Sequence, residues 1–229
     1  MLIPPKHSGI PGFAILAYVS GIIFLLAGSC LVVDKKTRSI ALMLGCILLL
    51  IFCFYHVPYQ FIATSNYMQL GAWDNAEKEL ALSSGAFIVA GIASTKDKNI
   101  RSNFSKNFIR LGIILFSITI ISFGIDHFLY AADVAEYVPS WIPNRLFWAY
   151  FAGAALLGSG IAIFLKIKLR LAATLLGTMI FIWFIILHIP YAIAKPLAGK
   201  GGEVTSAFLA LAYSGIAFAI AGAADRKPA

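Results

Sequence analysis

Long apolar runs alternate with short polar loops along the chain. Most of the runs have the length of about 20 residues that an α-helix needs to cross a bilayer. They cover Phe13–Val33, Ser39–Ala63, Leu80–Ser94, Phe108–Ala131, Leu146–Leu165, Leu169–Ala194 and Val204–Ala224. The third run is short, and it reaches full length only when the turn that contains Glu77 and Glu79 is added. The pattern predicts an all-α integral membrane protein, a bundle of seven spanning helices.

The composition also indicates a protein embedded in lipid. Hydrophobic residues make up 60% of the 229 residues and charged residues 12%, about half the charged share of soluble domains. Lys and Arg outnumber Asp and Glu by 18 to 10, but this excess lies in short loops, where it orients membrane proteins. The lipid bilayer is therefore the expected first partner, and nothing in the sequence points to nucleic acid.

The basic residues are unevenly divided between alternate loops. If the seven runs span in turn, one side receives most of the 18 Lys and Arg residues, including Lys36, Arg38, Lys168 and Arg170. Loops rich in Lys and Arg stay in the cytoplasm. We therefore expect the N-terminus outside and the C-terminus in the cytoplasm, in a bacterial cytoplasmic membrane.

Two parts of the chain share a pattern of residues. One constant shift matches Lys36 with Lys168, Arg38 with Arg170, Gly45 with Gly177, and His56-x-Pro58-Tyr59 with His188-x-Pro190-Tyr191. After a slip of two residues, Ser84–Gly85 meets Ser214–Gly215. Corresponding helices lie an even number of spans apart, which predicts a parallel repeat. We expect a three-helix copy over 1–94, a cytoplasmic linker over 95–107 and a four-helix copy over 108–229.

The second copy contains a distinctive set of motifs. These are Gly124-x-x-His127-Phe128, Val138-Pro139-x-Trp141-Ile142-Pro143, Leu146-Phe147-Trp148-x-Tyr150-Phe151-x-Gly153 and His188-x-Pro190. In these motifs the copy resembles the DoxX-like family of small four-helix membrane proteins, and the first copy resembles such a unit without its first helix. The resemblance implies a compact membrane bundle, association with thiosulfate- or quinol-linked redox systems and, in a eukaryotic branch, cargo binding.

Polar residues gather at the predicted outer ends of the spans. We expect them to form a belt that consists of His56, Tyr59, Asp126, His127, Tyr130, His188 and Tyr191. The two repeated histidines, His56 and His188, have several interpretations: axial ligands of a haem, ligands of a metal, or donors to a quinone head group. A structural role is simpler, because the x-Pro after each histidine frees helix carbonyls that imidazole or water can satisfy. We favour the structural role for these two and predict no metal site.

Asp126 and His127 are the stronger candidates for a ligand site. Neighbouring helix residues diverge by about 100°, so the two side chains cannot simply pair with each other. An ionisable residue inside the membrane indicates a functional site by default. The alternative is a hydrogen bond that locks the bundle.

Together with the polar belt, the resemblance to the DoxX-like family implies an accessory subunit of a quinone-linked membrane redox system and favours this role over an enzyme. Its ligand would lie at the polar belt, with a quinone or a haem as the candidate cofactor and another membrane or redox protein, or a second copy of the chain, as a partner. A structural, assembly or cargo-binding membrane protein is the alternative. A small-solute transporter is a further alternative, which fits less well because the polar residues lie near one end of the spans.

Overall fold

The computed structural model describes residues 13–63, 66–94, 103–196 and 202–224, and within them the regular structure is helical. The α-helices are α1 (Phe13–Val32), α2 (Thr37–Ile51), α3 (Val57–Ala63), α4 (Asp74–Ser94), α5 (Asn103–Leu129), α6 (Ala131–Tyr137), α7 (Arg145–Phe164), α8 (Leu169–Trp183), α9 (Ile189–Ala194) and α10 (Gly202–Ala224). A π-helical turn, Phe52–His56, joins α2 to α3, and another, Phe184–His188, joins α8 to α9.

Each of the seven apolar runs is helical, but not every one qualifies as a span. In the described ranges, five helices are long and apolar enough to cross a bilayer: Thr37–Ile62, Asn103–Leu129, Arg145–Phe164, Leu169–Ala194 and Gly202–Ala224. In α1 the apolar segment that the structure describes without gaps is Tyr18–Val32. Helix α4 opens with the charged residues Asp74, Glu77, Lys78 and Glu79. The structure thus supports five spans, and the full set of seven stays a prediction.

Helix α5 begins earlier than the sequence predicts. It starts at Asn103 instead of Phe108, within the predicted linker 95–107, whose first eight residues lie outside the described ranges. Ser105 donates a hydrogen bond of 2.6 Å to the carbonyl of Gly91, and the rings of Phe104 and Phe108 pack at 4.5 Å. These contacts, with α4 and within α5, stabilise helix in a polar segment for which the sequence pattern predicts a loop.

Helix α4 lies at the centre of the bundle. It packs against α2 on one side and α5 on the other, and it also contacts α10. Helix α5 packs against α7, and α8 packs against α10. Close approach depends on small residues: a Cβ atom on Gly112 would lie 2.6 Å from the carbonyl oxygen of Ser84. The core around these contacts includes Phe116, Ile120 and Ile220.

The loops before α2 and α8 have the same backbone conformation. Asp34 and Lys36 have positive φ angles of 53° and 48°, and Lys166 and Lys168 have φ angles of 58° and 46°. Left-handed residues other than glycine are uncommon. The two loops correspond under the constant shift found in the sequence.

The same two helices make matching contacts with α4 and α10. Ser83 donates to the carbonyl of Gly45 at 2.8 Å, and Ser214 donates to the carbonyl of Gly177 at 2.9 Å. Ser83 of α4 and Ser214 of α10 thus make the same kind of contact, each with the carbonyl of a glycine on a neighbouring helix.

Candidate functional site

A cavity of about 380 Å³ lies mainly among helices of the second half of the chain. Helices α5, α7, α8 and α10 form its walls, and α6 together with the start of α4 lies at one end. The residues that matter for its chemistry are Asp74, Lys78, Phe123, His127, Tyr137, Trp148, Trp183, His188, Glu203 and Tyr213. The remaining lining is mostly apolar, so the cavity offers an apolar body with a few polar groups, as small-molecule sites do.

The imidazole of His127 is fixed by its own helix. Its Nδ1 atom lies 2.7 Å from the carbonyl oxygen of Phe123. A carbonyl only accepts hydrogen bonds, so Nδ1 carries the proton, and Nε2 of the neutral ring is then an acceptor. The cavity therefore receives an acceptor from α5.

Two glycines hold α5 and α7 close together around His127. A Cβ atom on Gly153 would lie 2.8 Å from the Cβ atom of His127, and one on Gly124 would lie 2.7 Å from the backbone nitrogen of Leu157. Both glycines belong to the sequence motifs that contain His127 and Trp148. Here they allow the close helix contact that positions the imidazole.

His188 reaches the cavity from the last position of a π-helical turn. The N–H of Ile189 bonds back to the carbonyl of Phe184 across this turn, and Pro190, which has no N–H to donate, follows within the first turn of α9. The wider turn thus accommodates the proline inside an otherwise continuous helix. It ends with His188 on the cavity wall.

Aromatic and hydroxyl groups complete the site. The indoles of Trp148 and Trp183 pack edge to face at 6.3 Å. The hydroxyl of Tyr213 is buried and has no hydrogen-bond partner among the described residues. Partial burial raises the pKa of Tyr137, and the Glu203 carboxylate raises it further, so this phenol stays protonated at neutral pH and can donate a hydrogen bond.

Asp126 lies outside the set of residues that line the cavity. Its Oδ1 atom is buried without a hydrogen-bond partner in the described part of the chain. It interacts electrostatically with Glu77 of α4, and Ser122 donates a hydrogen bond to the Oε1 atom of Glu77. The acidic side chain thus belongs to the contact between α4 and α5, while His127 lines the cavity, as the divergence of neighbouring helix residues predicts.

The structure places the other predicted belt residues elsewhere. His56 is 2% exposed, and its ring packs edge-on against Tyr55 at 5.6 Å. Tyr59 stacks on the same Tyr55 ring at 6.4 Å. Tyr130 packs near Gly71, where a Cβ atom would lie 3.1 Å from the phenol ring. None of these three is among the cavity-lining residues.

Tyr191 does not line the cavity but contacts α6, which lies at its end. Its hydroxyl donates a hydrogen bond of 3.0 Å to the carbonyl of Glu136 in α6, and its ring lies 5.9 Å from that of Tyr137. It therefore holds α6 at the end of the cavity. Of the seven residues predicted for the belt, the structure brings only His127 and His188 to the cavity wall.

The placement bears on the cofactors considered from the sequence. An axial haem pair would need His56 and His188 to face one space, but only His188 lines the cavity. Within the described ranges, no group of three or more His, Cys, Asp or Glu residues could hold a metal ion.

Sequence reasoning missed Tyr213, Trp183 and Tyr137 as parts of a site. Tyr213 is the one large polar residue in a stretch of α10 that is otherwise small or aliphatic, LALAYSGIA, and this contrast is the signal that could have indicated it. Which face of a helix meets a cavity depends on how neighbouring helices are rotated, which the sequence pattern does not define.

Comparison with protein-family models, curated proteins and solved structures gives no match. The class of the protein therefore follows from its own helices. Five long apolar helices in the described ranges make it a multi-pass integral membrane protein in contact with the lipid bilayer.

Proposed function

We propose that this protein consists of two parallel DoxX-like units and binds a quinol or quinone in the cavity between α5, α7, α8 and α10. In this proposal it serves a membrane redox system as an accessory subunit. The N-terminus lies outside and the basic loops lie in the cytoplasm. The observation that carries the proposal is that His127 and His188, from separate helices, line one mostly apolar cavity.

Three features support the repeat. The paired left-handed residues before α2 and α8 correspond under one shift. The π-helical turns Phe52–His56 and Phe184–His188 correspond under the same shift. The hydrogen bonds from Ser83 to Gly45 and from Ser214 to Gly177 correspond as well. Unrelated helix pairs would have no reason to share the first two, because left-handed residues other than glycine and π-helical turns are each uncommon.

If the two units are equivalent, the hydrogen bonds of Ser83 and Ser214 should contribute equally to the free energy of unfolding. We expect Ser83→Ala and Ser214→Ala each to lower stability by about 1 kcal/mol, the usual weight of one hydrogen bond. Because the two contacts are separate, the double variant should lose about the sum. Melting of the purified protein in detergent measures this. Ser159→Ala, whose hydroxyl bonds only within α7, is the control, and a silent change at one serine alone would argue against equivalent units.

The chemistry of the lining supports a ring with hydroxyl or carbonyl groups. Nε2 of His127 can accept a hydrogen bond because Nδ1 donates to Phe123; a quinol hydroxyl can donate to it and a quinone carbonyl cannot. The hydroxyls of Tyr137 and Tyr213 can donate to a carbonyl. Trp148 and Trp183 provide aromatic faces for the ring. His127 thus favours the reduced form of the ligand.

The direct test is extraction of the purified full-length protein with organic solvent, followed by chromatography and an absorption spectrum. We expect roughly one quinol or quinone per chain, with a ratio of reduced to oxidised form above that of the surrounding membrane lipid. A protein that carries no more quinone than an unrelated membrane protein purified in the same way would overturn the proposal. A Soret band would identify haem instead.

A further inference from the structure

A second cavity, of about 690 Å³, lies between α1, α2, α4 and α10. Its lining is mainly apolar and includes Phe24, Leu48 and Ile216. Lys78 and Leu209 line this cavity and also the one that holds His127. The two cavities are therefore adjacent, and these two residues form part of the wall between them. His127 lines the first cavity and Glu79 lines the second.

The polar group of the second cavity is the carboxyl of Glu79. This residue is 6% exposed, it lines the cavity, and its Oε2 atom has no hydrogen-bond partner within the described ranges. The nearest cation on its helix, Lys78, pairs with Asp74. A buried carboxylate oxygen without a hydrogen-bond partner costs free energy. A ligand that donates a hydrogen bond to this oxygen would therefore be stabilised in the cavity.

The position of Glu79 is equivalent to a cavity position in α10. Extending the match of Ser83 with Ser214 by one helical turn places Glu79 opposite Ala210, which lines the first cavity. The face of α4 that carries Glu79 thus borders the second cavity, and the corresponding face of α10, which carries Ala210, borders the first. At this place the first cavity has a methyl group and the second has an acid, so the two would select different ligands.

The second cavity has one polar end and one apolar end. Asn75 and Glu79, at the start of α4, lie beside Thr205 at the start of α10. The lining continues along α4 as far as Val89, about 15 Å from Glu79 at the helical rise per residue. An elongated space with an acid near one end fits an amphiphile that has a donor head and an alkyl chain.

We propose that the second cavity binds a lipophilic amine, with its ammonium group on the Glu79 carboxylate and its alkyl chain along α4 toward Val89. A cationic head suits this place because it can pair with the Glu79 carboxylate, while most of the remaining lining is apolar. The ammonium group donates the hydrogen bond that Oε2 lacks.

The test uses the full-length protein in phosphatidylcholine nanodiscs and radiolabelled dodecylamine, with protein-free nanodiscs to subtract partitioning into lipid. We expect saturable binding, and Glu79→Gln, which keeps the shape and removes the charge, should weaken it at least tenfold. Glu136→Gln, an exposed acid outside both cavities, is the matched control and should stay within twofold. Unlabelled dodecanol should displace the probe at least tenfold less well than unlabelled dodecylamine.

A second variant tests the cavity independently of the charge. Gly28 lines the space, and a Cβ atom there would meet no atom within 4 Å, so Gly28→Leu should fill the cavity without disturbing the helices and should also abolish saturable binding. Gly158→Leu, equally free of close neighbours but outside this cavity, should not. Unchanged binding in Glu79→Gln, equal displacement by dodecanol, or no binding above empty nanodiscs would overturn the proposal. None of these results depends on quinol binding in the first cavity.

Discussion

Replacing His127 by phenylalanine is expected to lower the affinity for a quinol by about 10- to 100-fold, the effect of leaving one buried hydrogen bond unmade. The aromatic ring keeps most of the volume of imidazole but has no acceptor at the position of Nε2. Membrane insertion and yield should stay the same, because the lost bond to Phe123 lies within one helix. Binding of a short-chain quinol to the purified protein, followed by quenching of the fluorescence of Trp148 and Trp183, measures the affinity.

His56 provides the comparison that separates two views of the site. If a single polar belt binds the ligand, His56→Phe should weaken quinol binding as strongly as His127→Phe. If the cavity is the site, His56→Phe leaves the affinity unchanged, because His56 does not line it. Equal affinity in His127→Phe and the unaltered protein would refute binding at the cavity.

Replacing Gly124 by leucine is expected to have the largest effect on stability. Its Cβ atom would lie 2.7 Å from the backbone nitrogen and 3.0 Å from the Cα atom of Leu157. Backbone atoms cannot rotate away as a side chain can, so α5 and α7 must separate, at a cost of about 3 kcal/mol. For a protein of this size the melting temperature should fall by about 10 °C.

The matched control for Gly124 is Gly158, on the facing helix. A Cβ atom on Gly158 would meet no atom within 4 Å, and leucine forms helix better than glycine, so Gly158→Leu should melt at or above the temperature of the unaltered protein. Thermal melting in detergent, followed by size-exclusion chromatography, compares the two. Similar melting of both variants would mean that α5 and α7 do not meet at Gly124.

The helices were predictable because an apolar run of spanning length has one stable form in a bilayer, where every backbone group must bond within its own segment. The bounds of α7 and α10 accordingly agree with prediction to within two residues. The start of α5 was not predictable in this way. Ser105 and Asn103 are polar, and their helical state depends on the contact between Ser105 and Gly91 of α4.

The site was predictable only in part. His127 and His188 stood out because ionisable groups near hydrocarbon need an explanation. Tyr213 and Tyr137 did not stand out, since tyrosine is ordinary at membrane interfaces. His56 packs on Tyr55 while His188 lines the cavity with His127 of α5, and the shared His-x-Pro-Tyr pattern of the two sites does not predict this difference, which depends on the helices packed around each.

The π-helical turn Phe184–His188 affects how the protein tolerates the deletion of a single residue. A turn closed from residue i to i+5 holds one residue more than an α-helical turn. Loss of a single codon within it would therefore give a regular α-helical turn and leave the helix faces on either side in register. A gene for this protein can lose one residue here while the Gly177 face of α8 keeps its contact with α10, whereas the same deletion elsewhere in α8 would rotate the helix beyond it by about 100°.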